Sequence, residues 1–204
     1  MELFVPMHYH EKFQVCDEIS VRFVDAGHLL GSSSIEIWLT EEGEQKKIVF
    51  SGDIGQGNKP LIKAPEYIEE ADYVLVESTY GDRVHEVPID FAKALADVMR
   101  QTFQAGGNLV IPAFSVGRTQ EMLYFIRRIK EEGMLSDIED FEVYMDSPLA
   151  VEATAVFHSN VAECFSEEAK EIIASGKNPI RFPGLKMAVT SDESKMINFD
   201  IKPK

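Results

Sequence analysis

Lys47-Ile48-Val49-Phe50-Ser51-Gly52-Asp53-Ile54-Gly55 is the stretch on which the reading turns. An apolar, β-branched run ends at a carboxylate flanked by two glycines, the pattern of a strand that delivers an acid into a tight loop. An Asx-turn is one structural use for such an Asp. The other is chemical: a carboxylate is a hard anionic ligand that can bridge two divalent ions. The pattern recurs on both sides. Val21–Val24 runs into Asp25-Ala26-Gly27-His28, 25 residues before Asp53, a separation that one hairpin closes. Tyr73-Val-Leu-Val76 reads as a short buried strand ending at Glu77. In open α/β sheets, ligand sites gather at the carboxyl ends of strands. His28, Asp53 and Glu77 therefore form a more specific constellation together than any of them alone.

Working outward, residues 34–39 and 46–50 read as a hairpin around the polar turn Glu42-Gly43-Glu44, and 60–65 as loop. From about residue 88 the period changes. Phe91, Leu95, Val98, Met99 and Phe103 share a helical face that Gly106-Gly107 closes. Residues 109–111 and 142–145 read as strands. Met122, Leu123, Phe125, Ile126 and Ile129 mark a second helix that stops near Gly133, and 151–158 and 166–175 are helical, with Ser191 capping a last short helix. Hairpin-rich β followed by alternating helix and strand predicts an α/β protein whose second half is parallel, with a boundary near residue 82.

The chain has 204 residues and a formal charge of −15, shared between residues 1–80 (−9) and 81–204 (−6). A whole-surface affinity for nucleic acid is excluded by that balance, so phosphate recognition must be local. No apolar run approaches the roughly 20 residues of a bilayer span, and no secretory leader pattern opens the sequence. Cys16 and Cys164, with no CxxC pair, fit reduced thiols in a cytoplasmic protein.

Asp25-Ala-Gly-His28-Leu-Leu-Gly-Ser, Phe50-Ser-Gly-Asp53-Ile-Gly and Val76-Glu77-Ser-Thr-Tyr-Gly-Asp82 resemble three consecutive signatures of the β-CASP group of metallo-β-lactamase-fold nucleases. The likeness continues through Ile111-Pro-Ala-Phe-Ser-Val-Gly-Arg118-Thr-Gln-Glu121 and Asp146-Ser-Pro-Leu-Ala150-Val-Glu, and so covers nearly the whole chain. It is similar above all to prokaryotic homologues of the nuclease subunit that cuts pre-mRNA before polyadenylation. The resemblance implies part of a metallo-β-lactamase αββα sandwich over 1–82, followed by part of a parallel α/β β-CASP domain over 83–204. It implies that His28 binds a zinc ion, that Asp53 bridges two, and that Glu77 is an acidic catalytic residue of the same site. It further implies a zinc-dependent endonuclease or 5′ exonuclease that hydrolyses single-stranded RNA by a two-metal mechanism. A silent scaffold subunit and a DNA-repair nuclease are the alternatives.

Part of the family pattern is missing. The His-x-His-x-Asp-His signature that precedes the His28 motif is absent. His8-Tyr9-His10 imitates it, but Glu11-Lys12 follows and only 18 residues separate His10 from His28. The late motifs with a further zinc-binding His are absent too, and His85 and His158 read as solvent-facing or capping residues. Two zinc ligands are fewer than the three of a catalytic site or the four of a structural one. The chain is thus expected to be a fragment with an incomplete zinc site, inactive alone, whose apolar face, left by its missing part, is covered by self-association, by a partner or by a rearranged N-terminus. Arg118 is a candidate phosphate ligand or a helix-start ion pair, and Ser147 a phosphate donor or a helix cap. Phe114 is read as core rather than a base-stacking surface, with Tyr80 open between the two, and Arg127, Arg128 and Lys130 as a solvated face shared with Glu131 and Glu132.

Overall fold

The computed structural model describes residues 3–57, 59–84, 90–138, 140–200 and 202–204. They form two compact units, Met1–Val84 and His85–Lys204.

The first unit is a five-stranded sheet: β1 (Phe13–Cys16), β2 (Ile19–Asp25), β3 (Ser33–Glu41), β4 (Glu44–Phe50) and β5 (Tyr73–Leu75), side by side in chain order. β1 to β4 are antiparallel, and β5 joins β4 in parallel. The β3–β4 hairpin closes at Glu42 and Gly43, both with positive φ (50° and 85°), the handedness that matches the twist of the strands it joins. Among the described residues this unit carries one sheet and no helix.

Pairing sets which side chains share a face. Ser34, Glu36, Val49 and Ser51 are buried on one side. On the other, Ile35, Ile37 and Ile48 are half-buried, and Phe50, Tyr73 and Leu75 are exposed. The buried strand expected at Tyr73–Val76 is therefore corrected. It is a strand, but among the described residues it pairs with β4 alone, and Tyr73, Val74, Leu75 and Val76 are all more than half exposed. Glu36 is fully buried, ion-paired with Arg22 across β2–β3 and with Lys47 at 2.5 Å. Trp38 backs this pair, with the Lys12 ammonium 3.7 Å from its ring centroid. Burial opposes ionisation of Glu36, but the hydrogen bonds from Arg22 and Lys47 outweigh it and hold the carboxyl below its ordinary range.

The second unit comprises α1 (Phe91–Gln104), α2 (Arg118–Glu131), β6 (Val143–Asp146), α3 (Pro148–Ser159), α4 (Val161–Cys164), α5 (Glu167–Ala174), β7 (Leu185–Ala188) and α6 (Ser191–Ile197). β6 and β7 pair in parallel, as a helix-strand alternation requires. Asp90 caps α1 by accepting from the Ala92 and Lys93 amides. The buried stripe of α1 is Ala92, Ala96, Met99 and Phe103, while Phe91 and Val98 are about half exposed. The core face is thus turned by about one position from the expected one, toward the alanines, which let α2 approach closely. Arg127 is not solvated as expected. It is 5% exposed and donates to the Pro179 carbonyl and the Glu131 carboxylate. Arg128 pairs with Glu132 and Asp90, and Lys130 with Asp140.

Residues 109–111, expected as a strand, belong to no sheet. The Leu109 amide donates to the Lys204 carbonyl and the Glu142 amide to Pro203, so the last residues of the chain take donors that a direct ladder would use. A cavity of about 530 Å³ is lined by Val110 and Ile111 together with Met145 and Asp146 of β6. The last helix is capped by Thr190 in a reciprocal box with Glu193, one residue before the Ser191 expected for that role.

Removing both cations, Arg22→Ala with Lys47→Ala, leaves a buried carboxylate uncompensated and should cost about 3–5 kcal/mol of unfolding free energy in a urea titration. Because the Glu36 pKa is lowered by folding, its contribution is present above the ordinary carboxylate pKa and is lost as pH falls through the depressed value. The double variant should lose that part of the acid sensitivity.

Candidate functional site

Two loops meet at the ends of β2 and β4. In the first, Asp25 accepts the Gly27 amide at 2.8 Å, and Ser32 Oγ accepts the amides of His28 at 3.0 Å and Leu29 at 3.2 Å. In the second, the Gly55 amide donates to the Ala26 carbonyl at 2.8 Å. The contact leaves no room for a side chain: a Cβ on Gly55 would lie 1.8 Å from the Gly27 carbonyl oxygen. Gly27, at φ +59°, is equally confined, since its Cβ would meet the Pro65 backbone nitrogen at 2.4 Å. The glycines beside His28 and Asp53 are therefore the condition for the loops touching at all.

That contact brings His28 Nε2 to 4.0 Å from Asp53 Oδ2, with the two side chains 38% and 75% exposed. Glu77, just past β5, joins them from the third strand end. Its amide donates to Ser51 Oγ at 3.0 Å, Oε1 accepts the Ile54 amide at 2.6 Å and Oε2 accepts the Thr79 hydroxyl at 2.7 Å. The carboxylate thereby ties down the loop that carries Asp53. The Thr79 hydroxyl, then the Ile54 amide, and more weakly His28, hold the Glu77 pKa below its ordinary value.

The structure thus brings His28, Asp53 and Glu77 together. An imidazole nitrogen and a carboxylate oxygen are available to a cation, whereas Glu77 is occupied with the loop. Among the described residues no group of three or more His, Cys, Asp or Glu side chains is placed to hold a metal ion. His10 pairs with Glu66 at 3.4 Å. Of the two roles expected for His158, solvent-facing or capping, the first does not hold: it is half-buried in the last turn of α3, where burial and then Arg181 lower its pKa. His85 lies outside the described residues. Ser51 and Thr79, which hold Glu77, are residues that the motif reading passed over, although both stand inside the motifs it singled out.

Arg118 and Ser147 belong to the second unit. Arg118 opens α2 and pairs with Glu121 at 2.7 Å, its side chain 59% exposed. Ser147 caps α3 by accepting the Ala150 amide at 3.2 Å. Both structural alternatives are therefore realised. Ser147 Oγ also lies 3.4 Å from Ser115 Oγ, so the α2 entry loop and the α3 cap adjoin. Fully buried Gln120 fixes that loop, bonding the Ser115 carbonyl, Thr154 Oγ1 and the Gly117 amide. Phe114, expected in the core, is 86% exposed on the same loop, and Tyr80 of the first unit is 53% exposed.

Residues 119–204 match the family model described as the Beta-Casp domain. The chain is 32% identical over 193 residues to Ribonuclease TTHA0252 of Thermus thermophilus, covering 95% of this chain and 42% of that protein. It is 34% identical over 201 residues to an RNase J-like protein of Methanocaldococcus jannaschii, covering 97% and 44%. It is 30% identical over 164 residues to cleavage and polyadenylation specificity factor 73 of Drosophila melanogaster, covering 79% and 23%. The chain therefore spans less than half the length of these relatives.

Thr79→Val removes the largest contribution to the lowered Glu77 pKa. A carboxyl-carbon NMR titration should show Glu77 moving up toward the ordinary Glu value. In the parent, the stabilisation from Glu77 is present above that ordinary value and lost as pH falls through the depressed one; the variant should lose it at higher pH.

Proposed function

The chain belongs to the β-CASP family of RNA-processing nucleases, and from that premise we propose that it contributes to a zinc-dependent site that hydrolyses phosphodiester bonds of single-stranded RNA in the cytoplasm. The observation that supports this reading is the apposition of His28 and Asp53 at 4.0 Å across two loops locked by glycines. An imidazole nitrogen and a carboxylate oxygen are ligand types that zinc takes. Glu77 acts here as a positioning residue, holding the Asp53 loop through the Ile54 amide. In the second unit, Arg118 supplies a cation four residues after an exposed aromatic, Phe114, on an acidic chain. A guanidinium binds phosphate and a free ring face stacks a base.

The donor set does not fit a complete zinc centre. A catalytic zinc takes about three protein ligands and a structural one about four, and the described residues offer His28 and Asp53. On this reading the chain alone holds zinc weakly and leaves RNA intact, and cleavage, endonucleolytic or from the 5′ end, requires further ligands. A second reading is a non-catalytic RNA-binding subunit, against which the retention of His28, Asp53 and Glu77 argues. The two separate on whether supplying the remaining ligands restores cleavage.

Elemental analysis of the dialysed chain and of Asp53→Ala should find near-zero zinc in both, with no cleavage of a labelled single-stranded RNA. One or two zincs per chain, lost in Asp53→Ala, would show that these residues complete a centre after all. Arg118→Ala should weaken RNA binding and reduce the slope of log K against log salt by about one. An unchanged slope would remove Arg118 from the phosphate path.

A further inference from the structure

The turn 25–28 gives up three carbonyls to the stretch that follows Asp53. The Gly55 amide takes Ala26 at 2.8 Å, the Glu66 amide takes Asp25 at 2.9 Å, and Lys59 Nζ takes His28 at 2.6 Å. Between these bonds the Pro65 backbone stands where a Gly27 side chain would lie. Two of the donors are backbone amides, which almost any residue supplies. The third is a side chain, so the bond to His28 is the one that sequence can make or break. The stretch that presents Lys59 is itself anchored, because Leu61 and Ile62 are buried.

We propose that Lys59 is a positioning residue for His28, holding its imidazole toward Asp53 through the His28 carbonyl. The peptide group between His28 and Leu29 is fixed on both sides. Lys59 holds its carbonyl, and Ser32 Oγ accepts its amide at 3.2 Å. The same Ser32 Oγ accepts the His28 amide at 3.0 Å. These three bonds set both backbone dihedrals of His28. The imidazole is 38% exposed, so packing alone does not choose its rotamer. The rotamers open to a side chain depend on its backbone dihedrals, and the backbone here is held by an ammonium. A hydrogen bond from an ionised donor is stronger than one between neutral groups. Without it the carbonyl is free to turn to water, and the imidazole turns with it. The same stretch of chain thus carries Asp53 at one point and orients its partner from another, six residues on. The inference rests on the reading of His28 and Asp53 as members of one site.

NMR on the isotope-labelled full chain tests it, through the three-bond couplings that report His28 χ1 and the His28 carbonyl-carbon shift. The parent should show the couplings of a single rotamer. Lys59→Met, which keeps the length of the side chain and removes its donor, should bring the couplings to rotamer-averaged values. It should also move the carbonyl carbon upfield, as the loss of a hydrogen bond does. Lys63→Met removes the same charge from the same stretch and should change neither signal. Should Lys59→Met fail to fold, Lys59→Gln, shorter and neutral, carries the same expectation. A parent whose His28 is already averaged over rotamers overturns the proposal. So does a His28 whose couplings and carbonyl shift are indifferent to the Lys59 variant, or one that Lys63→Met disturbs equally. Both signals are read on the dialysed chain without RNA, so they hold or fail separately from the zinc and cleavage measurements.

Discussion

Glu77 accepts the Ile54 amide with one oxygen and the Thr79 hydroxyl with the other, while its own amide leans on Ser51. Through these bonds the end of β5 fixes the loop after β4, and that loop in turn presses Gly55 against Gly27. The position of Asp53 relative to His28 is inherited from this chain of contacts. These are hydrogen bonds to an ionised carboxylate, the stronger kind, and solvent at this exposed site discounts them. The site is thereby built from backbone geometry first, with the exposed side chains carried on it.

The same economy of contacts appears in the second unit. Gln120, with no solvent exposure, joins the α2 entry loop to α3 through Ser115 and Thr154. A neutral amide with both ends satisfied ties the start of α2 to the middle of α3 without bringing a charge into the core. Arg118, two residues earlier as the first residue of α2, remains at the surface with Glu121.

The strand-end constellation was legible because strand, glycine and acid follow each other in sequence, and local order of that kind survives folding. Both hairpin strands and the longer helices were legible for the same reason, their apolar period being long enough to read. What escaped depends on neighbours distant in the chain. The 109–111 run has every local mark of a strand, but its Leu109 amide is taken by Lys204. The apolar period of α1 pointed to Phe91 and Val98, whereas close packing against α2 selected the small Ala92 and Ala96. Arg127 looked like one of several surface cations until the Pro179 carbonyl, 52 residues on, gave it a buried partner. β7 is four residues long with a lysine inside it, too short to show a period. The burial of Glu36 likewise rests on Arg22 and Lys47 reaching it from the two flanking strands.

The hairpin tip at Glu42 and Gly43 stands at the far end of β4 from Asp53. Seven strand residues at about 3.4 Å each separate the two by roughly 24 Å. No Cβ at Gly43 would meet another atom within 4 Å, and Glu42 is exposed. The ladder between makes a stiff arm of known length. A dye attached at Glu42 would ride on that arm and report distances to anything bound near His28, without itself entering the loops.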